Sequence, residues 1–401
     1  MDFKQKMFLN TIGTVVLLFA QWLISVLIVR MGGYADAGIF SLAMSVSNIF
    51  AFLANYGIRN YQVADNKKMF SQQQYLYARA ITSGISFLFA AVYLSVGSYT
   101  EEEKIAIFLY LVYSNVNVVS DTLLGTLQVY GKLEFSGYSN VLRGFCCFLG
   151  FIFTYIVSQN LILSLAIMAA FSLLVTILYD GPRYLRYEKL WEKFEWKKEK
   201  QILKICFSLM LSNVLPIIVT SIPRVLINQK YGQTQLGYFS SIFTPTVLIT
   251  TLVPTIVLSV IPRMAELWQK GDKRSFGKIC GMIYAGTLFF GIAAMIISAF
   301  FGKTIFALLF GQEILSYYPL FYVAIVATIL NAFISCGNAV LLVMENRKSI
   351  VGAALVGVIA ILLSADFMID AYAIYGAAYA LVISYSVEIL WQLKGIVFRH
   401  K

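Results

Sequence analysis

Charge is scarce in this chain. Of its 401 residues 13% are Asp, Glu, Lys or Arg, whereas a soluble domain carries about 25%. Histidine is nearly absent, and the single one, His400, sits in the C-terminal tail. Histidine-ligated metal centres, Ser-His triads and histidine proton relays are thereby excluded from the body of the protein. The five cysteines (Cys146, Cys147, Cys206, Cys280, Cys336) all fall inside apolar runs, so they read as small packing residues and not as a disulfide framework. Acidic clustering is limited to Glu101-Glu102-Glu103, which reads as a solvated turn. No polar stretch between the apolar runs is long enough for a catalytic domain. An enzyme is not expected, and neither is a cofactor or metal.

What the chain has in quantity is apolar sequence, 59% of all residues. It is arranged in about twelve runs of roughly 20 residues, each long enough at 1.5 Å per residue to cross a hydrocarbon core of about 30 Å. The runs are 7–29, 42–57, 81–96, 105–127, 141–157 and 161–179, then 205–227, 238–261, 279–300, 320–343, 350–367 and 372–393. They are too long for barrel strands and do not alternate, so the fold class is all-α: a polytopic membrane protein of about twelve transmembrane helices. The basic start of the chain, with Lys4 and Lys6, leads into a run too long for a signal peptide, which reads as a retained first span.

The net charge of +11 has a sidedness that speaks against nucleic acid as a partner. With the N-terminus inside, 26 Lys and Arg fall on the inner side and four (Arg30, Lys104, Lys230, Lys303) on the outer, while Arg224 lies within a span. Both termini are therefore expected inside. The spans divide into an N-terminal lobe, 1–179, and a C-terminal lobe, 205–401. Between them lies a basic connector, 180–204, in which Tyr184, Tyr187, Leu190, Trp191 and Phe194 are spaced as on an amphipathic interfacial helix; a solvated connector is the alternative. The lobes resemble each other. Leu27-Ile28, Gly33 and Gly38-Ile39-Phe40-Ser41 match Leu226-Ile227, Gly232 and Gly237-Tyr238-Phe239-Ser240 at a constant offset of 199. Six spans per lobe makes this a parallel repeat, and such repeats bind substrate between halves that rock.

Polar side chains recur at helical spacing within the runs, where lipid has no use for them. Candidate cavity-lining residues are Gln21 and Ser25 in span one, Asn48 and Asn55 in span two, and Asn117 and Gln128 in span four. Thr220 and Asn228 (span seven), Thr244 (span eight), and Asn331 and Asn338 (span ten) are their counterparts. Arg30, Arg59 and Arg224 are candidate anion ligands. Asp121, the deepest acid, is either an ion-coupling site or the partner of one of these arginines. Glu388, two turns from the end of the last span, is expected to snorkel. Pro216, Pro223, Pro245, Pro254 and Pro262 predict bent helices in spans seven and eight. The apolar stretch 305–310, in the longest outer loop, is expected as a half-helix or re-entrant piece.

Several of these segments resemble one known family. They are 30–42 (RMGGYADAGIFSL), Asn55-Tyr56-Gly57-Ile58-Arg59, Leu127-Gln128-Val129-Tyr130-Gly131-Lys132, Gly232 with Leu236-Gly237-Tyr238-Phe239, and Pro262-Arg263-Met264-Ala265-Glu266-Leu267. The chain looks like a polysaccharide-biosynthesis flippase of the O-antigen type, within the multidrug/oligosaccharidyl-lipid/polysaccharide exporter superfamily. The resemblance implies a multi-pass protein of the bacterial cytoplasmic (inner) membrane. It implies alternating access and a polyprenyl-diphosphate-linked oligosaccharide as substrate, with membrane lipids around it and polysaccharide polymerase and assembly proteins as possible partners. Arg30 and Arg59 carry over as cavity cations that suit the diphosphate. Relatives often place an acid before the position of Arg224, where this chain has Pro223. The rival reading is a cation-coupled exporter of drugs or metabolites from the same superfamily, which needs acids in its cavity where this chain has mostly arginines.

Overall fold

The computed structural model describes residues 2–65, 67–189 and 193–400. Among them there is no strand, and nine helical runs are long and apolar enough to cross a membrane. Three of these runs, Lys4–Ala64, Trp196–Gln269 and Arg347–Val397, are 61, 74 and 51 residues long, far more than the roughly 20 that one crossing needs. Each is divided into two long arms at a residue with non-helical backbone: Gly33 (φ 79°), Gly232 (φ 81°) and Ala373 (φ 50°). Each therefore supplies two spans, which brings the total to twelve. The helices are α1 (Phe3–Asn55), α2 (Ile58–Ala64), α3 (Gln72–Val96), α4 (Glu101–Val129), α5 (Glu134–Ser158), α6 (Leu161–Val175) and α7 (Gly181–Tyr184). They continue with α8 (Trp196–Phe243), α9 (Val247–Gln269), α10 (Lys273–Ile297), α11 (Lys303–Phe310), α12 (Pro319–Val343) and α13 (Arg347–His400).

The repeat read from the sequence is repeated in the backbone. Gly33 and Gly232, 199 positions apart, have ψ of −171° and 177° at nearly the same φ. That region is closed to residues with a Cβ, so glycine is required where each lobe's first two spans turn. A second correspondence lies after the fourth span of each lobe. Gly131 (φ 72°) and Glu345 (φ 57°) both end their helix in a left-handed residue. The following amides reach back alike, Lys132 N–H to Leu127 O and Asn346 N–H to Leu341 O, each at 2.8 Å.

The chain forms two compact units, Met1–Ile217 and Ile218–Lys401. In the first, α1 packs on α5 through glycines. A Cβ on Gly13 would stand 2.3 Å from the Gly137 carbonyl oxygen, and one on Gly137 2.5 Å from that of Leu9. Small residues allow this approach, which substitutes packing for a hydrophobic drive that lipid does not supply. In the second unit the two arms of α13 fold back on each other. Ser384 Oγ donates to the Gly357 carbonyl (2.8 Å) and Asn346 to that of Gly395 (3.2 Å).

Three local expectations change. Glu101–Glu103 is not a loose turn but the first turn of α4, with a capping box between Thr100 and Glu103, because carboxylates satisfy the exposed amides of a helix start. The stretch 305–310 belongs to α11, which continues α10 through a π-turn at Ser298–Gly302. In the connector, α7 ends at Tyr184, Leu185–Tyr187 is a turn, and α8 begins at Trp196. Leu190 and Trp191, which carried the amphipathic spacing, lie outside the described residues. Tyr187 stacks on Tyr130 at 5.2 Å, and Glu188 accepts hydrogen bonds from Tyr130 Oη (2.6 Å) and Gln73 Nε2 (2.9 Å). That carboxylate pushes the Tyr130 hydroxyl up to about 12, because ionising the phenol would lose the bond and set two negative charges together.

Candidate functional site

Polar groups gather in three places. In the first unit, Tyr56 (φ 51°) and Gly57 (φ 69°) turn the chain out of α1 and set α2 against α4. Arg59 on α2 then pairs with Asp121 and donates to Gln128 Oε1 at 3.1 Å. Asp121 and Gln128 are seven apart on α4 and so share a face. The Arg59 and Asp121 side chains are 24% and 28% exposed, which leaves them open to exchange. Beside them Gln62 Nε2 donates to Gln72 Oε1 (2.8 Å) and Thr126 Oγ1 (2.9 Å).

The second cluster, also in the first unit, is sealed. Arg143 of α5 pairs with Asp180 at 2.7 Å, with side chains 3% and 0% exposed. The guanidinium also donates to Asn117 Oδ1 (2.9 Å), Ser120 Oγ (2.7 Å) and Thr176 Oγ1 (3.0 Å), while Ser120 Oγ donates to Asp180 (2.6 Å). Asp180 ends a π-turn, Thr176–Asp180, that continues α6. Arg79 is a second deep cation. It donates to the Ala54 and Asn55 carbonyls at the end of α1 and to Thr122 Oγ1 (2.7 Å), thereby capping α1. Sequence sidedness placed Arg79 and Arg143 among inner-loop cations; the structure buries both.

The third place is a cavity of about 140 Å³ in the second unit. Thr220 and Arg224, one turn apart on α8 before its break at Gly232, line one side, and Phe239 and Phe243 after the break line another. Thr246 and Thr250, Thr328 and Asn331 of α12, and Leu381 and Tyr385 of α13 complete most of the wall. Arg224 is the single charged residue among those lining it. A guanidinium with hydroxyls and an amide around it suits an anion with several acceptor oxygens.

The expected residues are thus sorted. Thr220, Arg224 and Asn331 meet in one cavity, while Arg59, Asp121 and Gln128 meet in one exposed cluster. Asn117 serves the buried Arg143 pair, accepting also from Ser172 (2.8 Å). Gln21 Nε2 donates to Tyr113 (3.0 Å), and Ser25 Oγ to the Gln21 carbonyl (3.1 Å). Asn55 accepts from the Gly57 amide (3.2 Å) as part of the turn, and Asn48 is half-buried. Thr244 bonds back to Ser240 (2.9 Å), Asn338 accepts from Gln392 (2.9 Å), and Asn228 is buried. None of these three lines the cavity. Arg30 is exposed near the Gly33 break. Missed from sequence were Arg143, Asp180, Thr328 and Tyr385. A stripe of Ser136, Ser139 and Arg143 on α5, with Ser172, Thr176 and Asp180 at four-residue steps, carried the signal for the first two.

The family model for polysaccharide biosynthesis proteins matches residues 3–268. The capsular polysaccharide biosynthesis protein CapF of Staphylococcus aureus is 26% identical over 298 residues, 73% of this chain and 74% of that protein. Among solved structures, the lipid II flippase MurJ superposes with a TM-score of 0.75 at 15% identity, covering 98% of this chain and 87% of MurJ. A multidrug resistance MATE family transporter of the MOP superfamily superposes with a TM-score of 0.73 at 14% identity, covering 98% and 93%. These two structures share the fold of this chain. With the family match spanning well over half of its length, the chain belongs to the polysaccharide biosynthesis protein family.

Proposed function

We propose that the protein moves a polyprenyl-diphosphate-linked oligosaccharide from the cytoplasmic to the outer leaflet of the bacterial cytoplasmic membrane. The observation that carries this reading is the Arg224 cavity, a cationic site rich in hydroxyls within the second unit. A diphosphate with sugars does not cross about 30 Å of hydrocarbon unaided. A planar guanidinium that stays charged holds a diphosphate well, and threonine, asparagine and tyrosine side chains suit sugar hydroxyls. Membership of a polysaccharide biosynthesis family supports a glycan cargo, and CapF and MurJ, by their names, handle capsular polysaccharide and lipid II.

In this reading the lobes 1–179 and 205–401, joined by 180–204, alternate access around the site with both termini inside. Arg59 and Arg30 supply further cations along the route. Asp121, paired with Arg59, acts as a counter-ion that an incoming diphosphate displaces. The glycan delivered outside becomes substrate for polymerase and assembly proteins.

The test is the leaflet location of lipid-linked glycan in cells depleted of the protein, read with an impermeant glycan-binding reagent on intact and lysed cells. Glycan that becomes visible only after lysis supports flipping, and Arg224→Ala should reproduce that defect with a normally folded protein. Unchanged display on depletion refutes the flippase reading; resistance to cationic dyes on overexpression would then favour a small-molecule exporter.

A further inference from the structure

The segment after the first break is used differently in the two units. Asp36 and Gln235 are repeat-related, 199 positions apart, three residues past Gly33 and Gly232, and each meets a tyrosine hydroxyl. In the first unit Asp36 accepts from Tyr155, which is 1% exposed and fills the room beside Gly32. That pair is packing. In the second unit Gln235 Nε2 donates to Tyr317 Oη at 3.1 Å, and both residues are only half-buried.

More groups gather there. Tyr238, one turn after Gln235 on α8, packs its ring on that of Tyr317, with centroids 4.6 Å apart. Its hydroxyl donates to Oε2 of the exposed Glu313 (3.3 Å). Glu313 and Tyr317 lie in one 3₁₀ turn, anchored by the next residue, Tyr318, which is 2% exposed and bonded to Ser298. Two rings, an amide and a carboxylate thus converge on a held segment, so little side-chain freedom is left to lose on binding. At the break itself Lys230 pairs with Asp370 (2.6 Å) and Tyr231 Oη donates to the Ile369 carbonyl (3.0 Å). By the sidedness of its lysines this is the outer end of the unit.

An interfacial belt does not account for the arrangement. Belt tyrosines turn their rings to lipid and their hydroxyls to headgroups. Tyr372 and Tyr379, 56% and 37% exposed, suit that role. Tyr238 and Tyr317 turn to each other, with their hydroxyls engaged by Glu313 and Gln235. A sugar ring offers an apolar face for an aromatic ring, and hydroxyls for an amide and a carboxylate at its edge. Glu313 repels a diphosphate by like charge, so the sugars and not the phosphates suit this end. The Arg224 cavity lies along the same elements. Phe239, next to Tyr238, lines it, and α12 runs nine residues from Pro319 to Thr328 in its wall, about 13 Å. A short oligosaccharide carried on a diphosphate spans such a distance.

We propose that Gln235, Tyr238, Glu313 and Tyr317 form a glycan-binding site at the outer end of the second unit, an inference that rests on the flippase reading. The site takes sugar rings of the substrate whose diphosphate Arg224 holds.

The experiment uses the full-length protein in lipid nanodiscs. The probe is the oligosaccharide freed by mild acid from the lipid-linked glycan of the producing cells, so that it carries no diphosphate. Saturation-transfer NMR should show it binding to wild type, with an affinity about tenfold weaker in Tyr317→Ala. Excess inorganic pyrophosphate, which addresses Arg224, should not displace it. Equal affinity in wild type and Tyr317→Ala overturns the proposal, and displacement by pyrophosphate moves the sugar into the cavity and overturns it too. If Tyr317→Ala does not fold, Glu313→Ala, at an exposed position, should weaken binding by about tenfold, and unchanged affinity refutes the site. A wild type that binds no oligosaccharide also refutes it. The leaflet assay separates that failure from failure of the flippase reading: glycan still visible only after lysis of depleted cells leaves flipping intact and removes this site alone.

Discussion

Removing either partner of the Arg143–Asp180 pair should destabilise the protein far more than removing both. At 2.7 Å and an effective dielectric constant of about 20, the gross attraction is about 6 kcal/mol. Desolvation of two nearly inaccessible ions takes back several kcal/mol each, so the net value of the pair is small. The asymmetry lies in the single variants. Asp180→Leu leaves a guanidinium 3% exposed with only neutral oxygens from Asn117, Ser120 and Thr176, and an uncompensated buried charge costs about 3–5 kcal/mol. Arg143→Met strands the carboxylate in the same way. The double variant Arg143→Met with Asp180→Leu replaces the pair by apolar groups of similar length and should recover most of the loss. The assay is the apparent melting midpoint of each purified variant, read by size-exclusion of a fluorescent fusion after heating. Large, similar drops in both singles with recovery in the double support the reasoning. A double variant at least as unstable as the sum of the singles refutes it, because the two charges would then not be each other's compensation.

The Arg59–Asp121 pair should behave in the opposite way. It is about a quarter exposed, and pairs open to water are worth about 0–1 kcal/mol, so Arg59→Ala should leave the melting midpoint near wild type while glycan display falls; a large drop in midpoint would make it structural instead. At the repeat-related turns, Gly33→Ala and Gly232→Ala should each cost about 1–3 kcal/mol, since a Cβ is strained at φ near +80° even though open space surrounds both positions. Equal midpoints for these variants and wild type would show that the turns relax without strain.

Much of this was legible in the sequence because lipid imposes a simple rule. A run of about 20 apolar residues must be a helix, as no other open backbone arrangement satisfies its own amides in hydrocarbon. The twelve spans and the equivalence of Gly33 with Gly232 follow from composition, length and a residue type that a turn requires, whereas the third break falls on Ala373, which no residue type announced. Arg224, Thr220 and Asn331 were recognisable because their polarity at helical spacing is out of place in a membrane. What folding decided is which polar groups meet. Arg143 and Asp180 are 37 positions apart, and nothing local to either says that α5 and a π-turn after α6 will close over both; by charge alone they counted as loop residues. Arg59 and Arg143 are the same residue type near a span end, yet one is a quarter exposed and the other 3%. Glu388 was expected at the interface by its distance from the helix end, and the glycine at position 357, 31 residues earlier, made the room that buries it. Sequence determines which side chains enter the membrane, because hydrophobicity is a property of the residue; tertiary packing alone determines which of them reach water, because burial is a property of the neighbours.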